Sequence, residues 1–218
     1  MSAGRSAQLA QAERASLCDL LLEVGPDAAT LCGGWTAAHM AAHLVLRERR
    51  LDVSLGLVLP GPFARHTARA TERAAERAVE RVAFERLVER IRSGPPRLLR
   101  LVDGPFNLVE FFVHLEDVRR ATDGWEPRTG LDDLQDALWP FQKSGTKLRT
   151  RRVRDVELWI SRPGGEPVAV RNGGRRVTAI GDPGELTMFF FGRREQSHVE
   201  LTGDPDGIAE VRSAPIGF

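Results

Sequence analysis

Hydrophobic spacing along this chain changes period once, near residue 150, and that switch constrains the fold more than any single motif. Before it, apolar residues recur three and four apart, the interval that lines one face of an α-helix. Leu9, Leu17, Leu20, Leu21 and Val24 do so over residues 5–24, and Gly25-Pro26 stops the run. After it, VELWISR (156–162) alternates apolar and polar residues as a half-buried strand does. Further strands are predicted at 167–171, 175–180 and 198–203, with Gly-rich turns such as Asn172-Gly173 between them. The predicted fold class is α+β, a helical bundle followed by a small C-terminal α/β domain. The polar stretch KLRTRRVR (147–154) reads as the linker, giving domains 1–150 and 151–218.

Local signals fill in the rest. Thr36 is a helix N-cap, with Trp35 before it and Met40 after it as a hydrophobic staple. GLVLPGPFARH (56–66) reads as a loop, His66 included. Residues 67–92 read as one long helix with a solvated Glu/Arg face, closed by Ser93-Gly94-Pro95-Pro96. Helices are predicted around 107–122 and over 131–148, the latter bent at Pro140. Asp182-Pro183 opens a helix through GELTMFFFG, and Asp204–Ser213 forms the last one.

Composition excludes several classes. A net charge of +1 offers no basis for a nucleic-acid partner, and RTRRVR has no interleaved aromatics. No apolar run approaches the ~20 residues that span a bilayer, and the N-terminus lacks a signal-peptide layout. The expected location is therefore the cytoplasm, with no membrane partner. Cys18 and Cys32 are the only cysteines; they form no disulfide framework, and that compartment keeps both as thiols.

The chemistry concentrates on two helices. NLVEFFVHLEDVRRA (107–121) carries Glu110 and His114 one turn apart among Leu108, Val109, Phe111, Phe112, Val113 and Leu115. Ionisable groups in such a setting need partners, since burying one alone costs several kcal/mol. His39 and His43 share a face of the second helix in the same way. Facing helices of a bundle can thus bring two imidazoles and a carboxylate to one point, a pattern of metal sites in bundle cores. Two His and one Glu leave a coordination position open and suit zinc, iron or nickel. Asp117 could orient the His114 imidazole, and Arg47, one turn past His43, could face the cavity and bind a substrate carboxylate. Structural readings stand beside these. Asn107 and Glu110 have capping-box spacing, and Glu110 and His114 could simply pair with each other.

GWTAAHMAAHL (34–44), VEFFVHLED (109–117) and the segment GELTMFFFGR…HVELTGD resemble the maleylpyruvate isomerase family, which includes mycothiol-dependent enzymes within the DinB-like metal-binding bundles. The resemblance implies a DinB-like four-helix bundle followed by a small α/β domain. It also implies a divalent metal, most often zinc, held by a His of the second helix and by a Glu and His four apart on a later one. In that family the second-helix ligand lies eight residues past the Trp of the Gly-Trp-Ser/Thr element, which from Trp35 falls on His43; the other two fall on Glu110 and His114. His39 then becomes a neighbour of the metal. The implied function is a mycothiol-dependent isomerase or transferase acting on a small electrophilic substrate, with the metal activating the thiol. Two rivals remain: a non-catalytic metal-binding carrier or sensor, favoured if His39 supplies a fourth ligand, and a metal-assisted hydrolase of small molecules.

Overall fold

The structure, a computed structural model, describes residues 3–49, 62–78, 80–95 and 105–217. Its helices are α1 (Ala3–Val24), α2 (Ala37–Arg49), α3 (Pro62–Glu76), α4 (Arg81–Arg92), α5 (Pro105–Arg119), α6 (Asp132–Arg149), α7 (Pro183–Phe190) and α8 (Pro205–Ser213). The strands are β1 (Val156–Ser161), β2 (Val168–Arg171), β3 (Arg175–Ile180) and β4 (Glu200–Gly203). The class is α+β, as the change of period predicts. Among the described residues no helix is long and apolar enough to cross a membrane.

The chain divides into two compact units, Ser2–Glu126 and Pro127–Phe218. In the first, α1 packs along α5 and against α4, and α2 packs on α3 and α4. Leu17, Leu21, Met40, Leu44, Phe84, Val88, Ile91, Phe111 and Leu115 form its core. Gly25 closes α1 in the left-handed region at φ +82°, where its N–H bonds the Leu21 carbonyl at 3.0 Å. A buried ion pair then ties three helices together. Arg14 of α1 donates to both carboxylate oxygens of Glu48 of α2, at 2.5 and 2.9 Å, and its guanidinium lies 4.2 Å over the Phe111 ring of α5.

The predicted helix over 67–92 is two helices. Thr67, Thr71, Ala75 and Ala78 are buried at four- and three-residue spacing on one side of the turn, and Phe84, Val88 and Ile91 on the other. At about 100° per residue, Ala78 and Phe84 would point about 240° apart on one straight helix. The break between α3 and α4 brings both faces inward. The predicted loop at 56–66 lies outside the described residues up to 61, and from Pro62 the chain is already helical, so the exposed His66 is a helix residue.

In the second unit the sheet order is β2-β1-β3-β4, with β1 and β3 parallel and both edge pairings antiparallel. Val156, Leu158 and Ile160 of β1 and Val177 and Ala179 of β3 point to one face, covered by Leu186 and Phe190 of α7 and Val211 of α8. Gly173 makes the tight return to β3: a Cβ there would lie 2.1 Å from the Val156 carbonyl carbon. Helix α6 belongs with this sheet, packing on α7 and β2, and its Trp139 lies against the same core. The division between the units therefore falls ahead of α6, whereas the polar segment at 147–154 had suggested a boundary after it.

Candidate metal centre

Helices α2 and α5 supply the centre, and the buried Arg14–Glu48 pair and the Phe111 ring lock both against α1. Helix α5 begins at Pro105, so Asn107 sits inside its first turn and the capping-box reading of Glu110 falls away. Glu110 is turned instead toward two imidazoles. Its Oε1 lies 3.2 Å from His114 Nε2 and 3.4 Å from His43 Nε2. The three ligand atoms all lie within 4.8 Å of one another. Donors on a tetrahedral zinc at 2.0–2.1 Å sit about 3.3 Å apart. The separations to Glu110 Oε1 therefore already fit such an ion. Glu110 keeps 24% of its side chain exposed, against 8% for His43 and 10% for His114, so the trio is open mainly on the carboxylate side.

The electrostatics suit a cation. Burial works to raise the Glu110 carboxyl, but hydrogen bonds from His114 and His43 outweigh it and hold the group well below the usual carboxylate range. Burial lowers the His43 imidazole and keeps it neutral, so its Nε2 bears a proton toward Glu110 in one tautomer and a lone pair for a cation in the other. Burial also works to lower His114, yet its bonds to Asp117, Cys32 and Glu110 prevail and raise it well above the ordinary value. A dication arriving here therefore meets an ionised carboxylate and a neutral imidazole, and takes the place of a proton on His114.

The surrounding residues orient the trio. Asp117, fully buried, accepts from His114 Nδ1 at 3.2 Å, which directs Nε2 toward Glu110. The His43 and His114 rings meet edge to face at 5.3 Å, and Trp35 packs on His43 at 5.2 Å. Arg47 Nε stands 3.3 Å from Glu110 Oε1, a cation at the rim of the site.

His39 is not part of the cluster. Its Nδ1 accepts from the Thr36 backbone N–H at 3.2 Å and from the Thr36 hydroxyl at 3.0 Å, capping α2, while its Nε2 faces Glu72 of α3 at 3.3 Å. His198 lies in the other unit, lining a groove of about 590 Å³ with Ile180, Asp182, Glu185 and Glu200; its backbone N–H donates to Glu185 at 2.7 Å. Arg119 and Arg120 both pair with Glu116, and Arg120 is buried. Sequence spacing missed Cys32, whose thiol donates to Asp117 Oδ2 at 3.1 Å. No periodic signal links residues 85 apart, so only the packing of the loop before α2 against α5 brings them together.

Neither a protein-family model nor a curated protein matches the sequence. Two solved structures do match the fold. One, a mycothiol-dependent maleylpyruvate isomerase, aligns with a TM-score of 0.60 over 94% of this chain and 95% of that one, at 15% identity. The other, a histidine-to-alanine mutant of a mycothiol-dependent maleylpyruvate isomerase, gives 0.61 over the same shares at 13% identity. Identity that low speaks for architecture, and the chain has the α+β fold of the mycothiol-dependent maleylpyruvate isomerases.

Proposed function

We propose that this protein is a divalent-metal-dependent enzyme, zinc being the metal, that directs mycothiol at a small electrophilic substrate in an isomerisation or group transfer. The observation that carries this reading is the convergence of His43, Glu110 and His114 on one point at near-ligand spacing. The fold shared with mycothiol-dependent isomerases supports the choice of thiol and reaction class. In this reading helices α1, α2, α4 and α5 form the DinB-like four-helix bundle that holds the metal.

His43 and His114 donate through Nε2, Glu110 through its carboxylate, and Asp117 fixes the His114 ring from behind. When bound, the metal lowers the pKa of a thiol at its open position and polarises an electron-poor carbonyl. Arg47 holds an anionic group of the substrate at the rim, beside Glu110. The protein acts in the cytoplasm, whose reducing thiol pool keeps Cys18 and Cys32 out of disulfides.

One observation weighs against a carrier or sensor. Such a protein would close its metal with a fourth side chain, and the obvious candidate, His39, is spent on Thr36 and Glu72. Among the described residues the other candidate ligands, Cys32 and Asp117, gather with His114 at its Nδ1 side and not with His43 and Glu110. Cobalt-substituted protein tests the reading. Adding mycothiol should introduce a sulfur-to-cobalt charge-transfer band in the near ultraviolet and change the visible bands. A spectrum indifferent to thiols, with hydrolysis of small esters that needs no thiol, would favour the hydrolase instead.

A further inference from the structure

Beyond the three ligands and Asp117, one more residue bears on the centre. We propose that Cys32 is a positioning residue for it: the thiol holds Asp117 so that Asp117 in turn holds His114 Nε2 toward Glu110 and His43. This rests on the metal reading above.

A single oxygen carries the connection. Asp117 Oδ2 accepts from the Cys32 thiol at 3.1 Å and from His114 Nδ1 at 3.2 Å. The carboxylate is fully buried, so its orientation depends on such donors. Cys32 meets the Asp117–His114 pair where the two bond each other, opposite the nitrogen that faces Glu110, and so braces Asp117 while also touching His114.

The loop that carries Cys32 is itself tied down. Leu31 N–H donates to the Asp117 carbonyl at 3.0 Å, Cys32 N–H to the Thr30 hydroxyl at 3.2 Å, and Trp35 N–H to the Cys32 carbonyl at 2.7 Å. The same short loop thus delivers Trp35 onto His43 and Cys32 onto Asp117, touching the backs of both imidazoles. Cys32 packs at the edge of the helical core, yet unlike the fully buried Cys18, whose sulfur meets only a backbone carbonyl, its thiol is turned onto a carboxylate.

The test is zinc affinity by competition with a chromophoric chelator, for wild type, Cys32→Ser, Cys32→Ala and Asp117→Ala, each checked for folding by circular dichroism. Asp117→Ala should weaken zinc by about 10–100-fold, the usual cost of losing a partner behind a ligand. Cys32→Ala should weaken it by less, on the order of fivefold, and Cys32→Ser, which keeps a donor, should stay within about twofold of wild type. The cobalt bands should shift in Cys32→Ala and not in Cys32→Ser. In metal-free protein, alkylation of Cys32 by iodoacetamide should quicken in Asp117→Ala, because the thiol loses its acceptor. Wild-type affinity and spectrum in Cys32→Ala would overturn the proposal, as would an unchanged alkylation rate. A wild-type protein that binds no zinc would overturn the metal reading and this role with it, and the alkylation rates would still show separately whether Cys32 and Asp117 are linked.

Discussion

Cys18 is fully buried in the helical core, and burial pushes its thiol from 9.0 up to about 11. In the unfolded chain it ionises near its ordinary value. The folded state therefore keeps the proton longer, and its stability is undiminished below pH 9 and falls as pH climbs toward 11. The chain has no tyrosine and only two lysines, so few other groups titrate in that window. Denaturant midpoints measured across it should decline more steeply in wild type than in Cys18→Ala. Equal slopes would remove Cys18 as the cause. Glu110 shows the other side of reading single residues. Its four-residue spacing from His114 and its apolar neighbours already call for a partner. Whether that partner is the helix's own first turn, His114 alone or a shared cation depends on where α5 begins and what α2 presents to it.

At the scale of elements, the Arg14–Glu48 pair decides how α1, α2 and α5 meet. Both side chains are buried, and Arg14 also donates to the Ile91 carbonyl at 2.7 Å. Removing one partner of such a pair leaves an uncompensated charge. Glu48→Ala should cost about 3–5 kcal/mol in urea unfolding, whereas Arg14→Met with Glu48→Leu should come out near neutral. A mild effect of Glu48→Ala alone would mean that water reaches Arg14. Element type and order follow well from apolar spacing, as with α1, α2 and β1. The break between α3 and α4 does not, because Glu, Arg and Ala continue across it in good helical register. What breaks the helix is a change in which face is buried, and that appears only when Ala78 and Phe84 find the same core.

For the whole molecule, patterning predicts an α+β fold with helices first, and the structure has it. The division between units is less visible in sequence. RTRRVR looks like a linker because it is polar, yet α6 ahead of it packs with the sheet, and a helix's partner cannot be read from its own periodicity. The same limit applies to the site. Two short spacings, His39 with His43 on α2 and Glu110 with His114 on α5, are readable one by one, as is Arg47 one turn past His43; Cys32 behind Asp117 emerges only from tertiary packing. The central claim is that the trio exists to hold a metal. Elemental analysis of the purified protein beside His43→Ala and His114→Ala tests it most directly. We predict about one equivalent of zinc in the wild type, lost from both variants while their folds persist. No metal in any of the three, with the variants merely less stable, would contradict the account and leave His43, Glu110 and His114 a buried structural cluster.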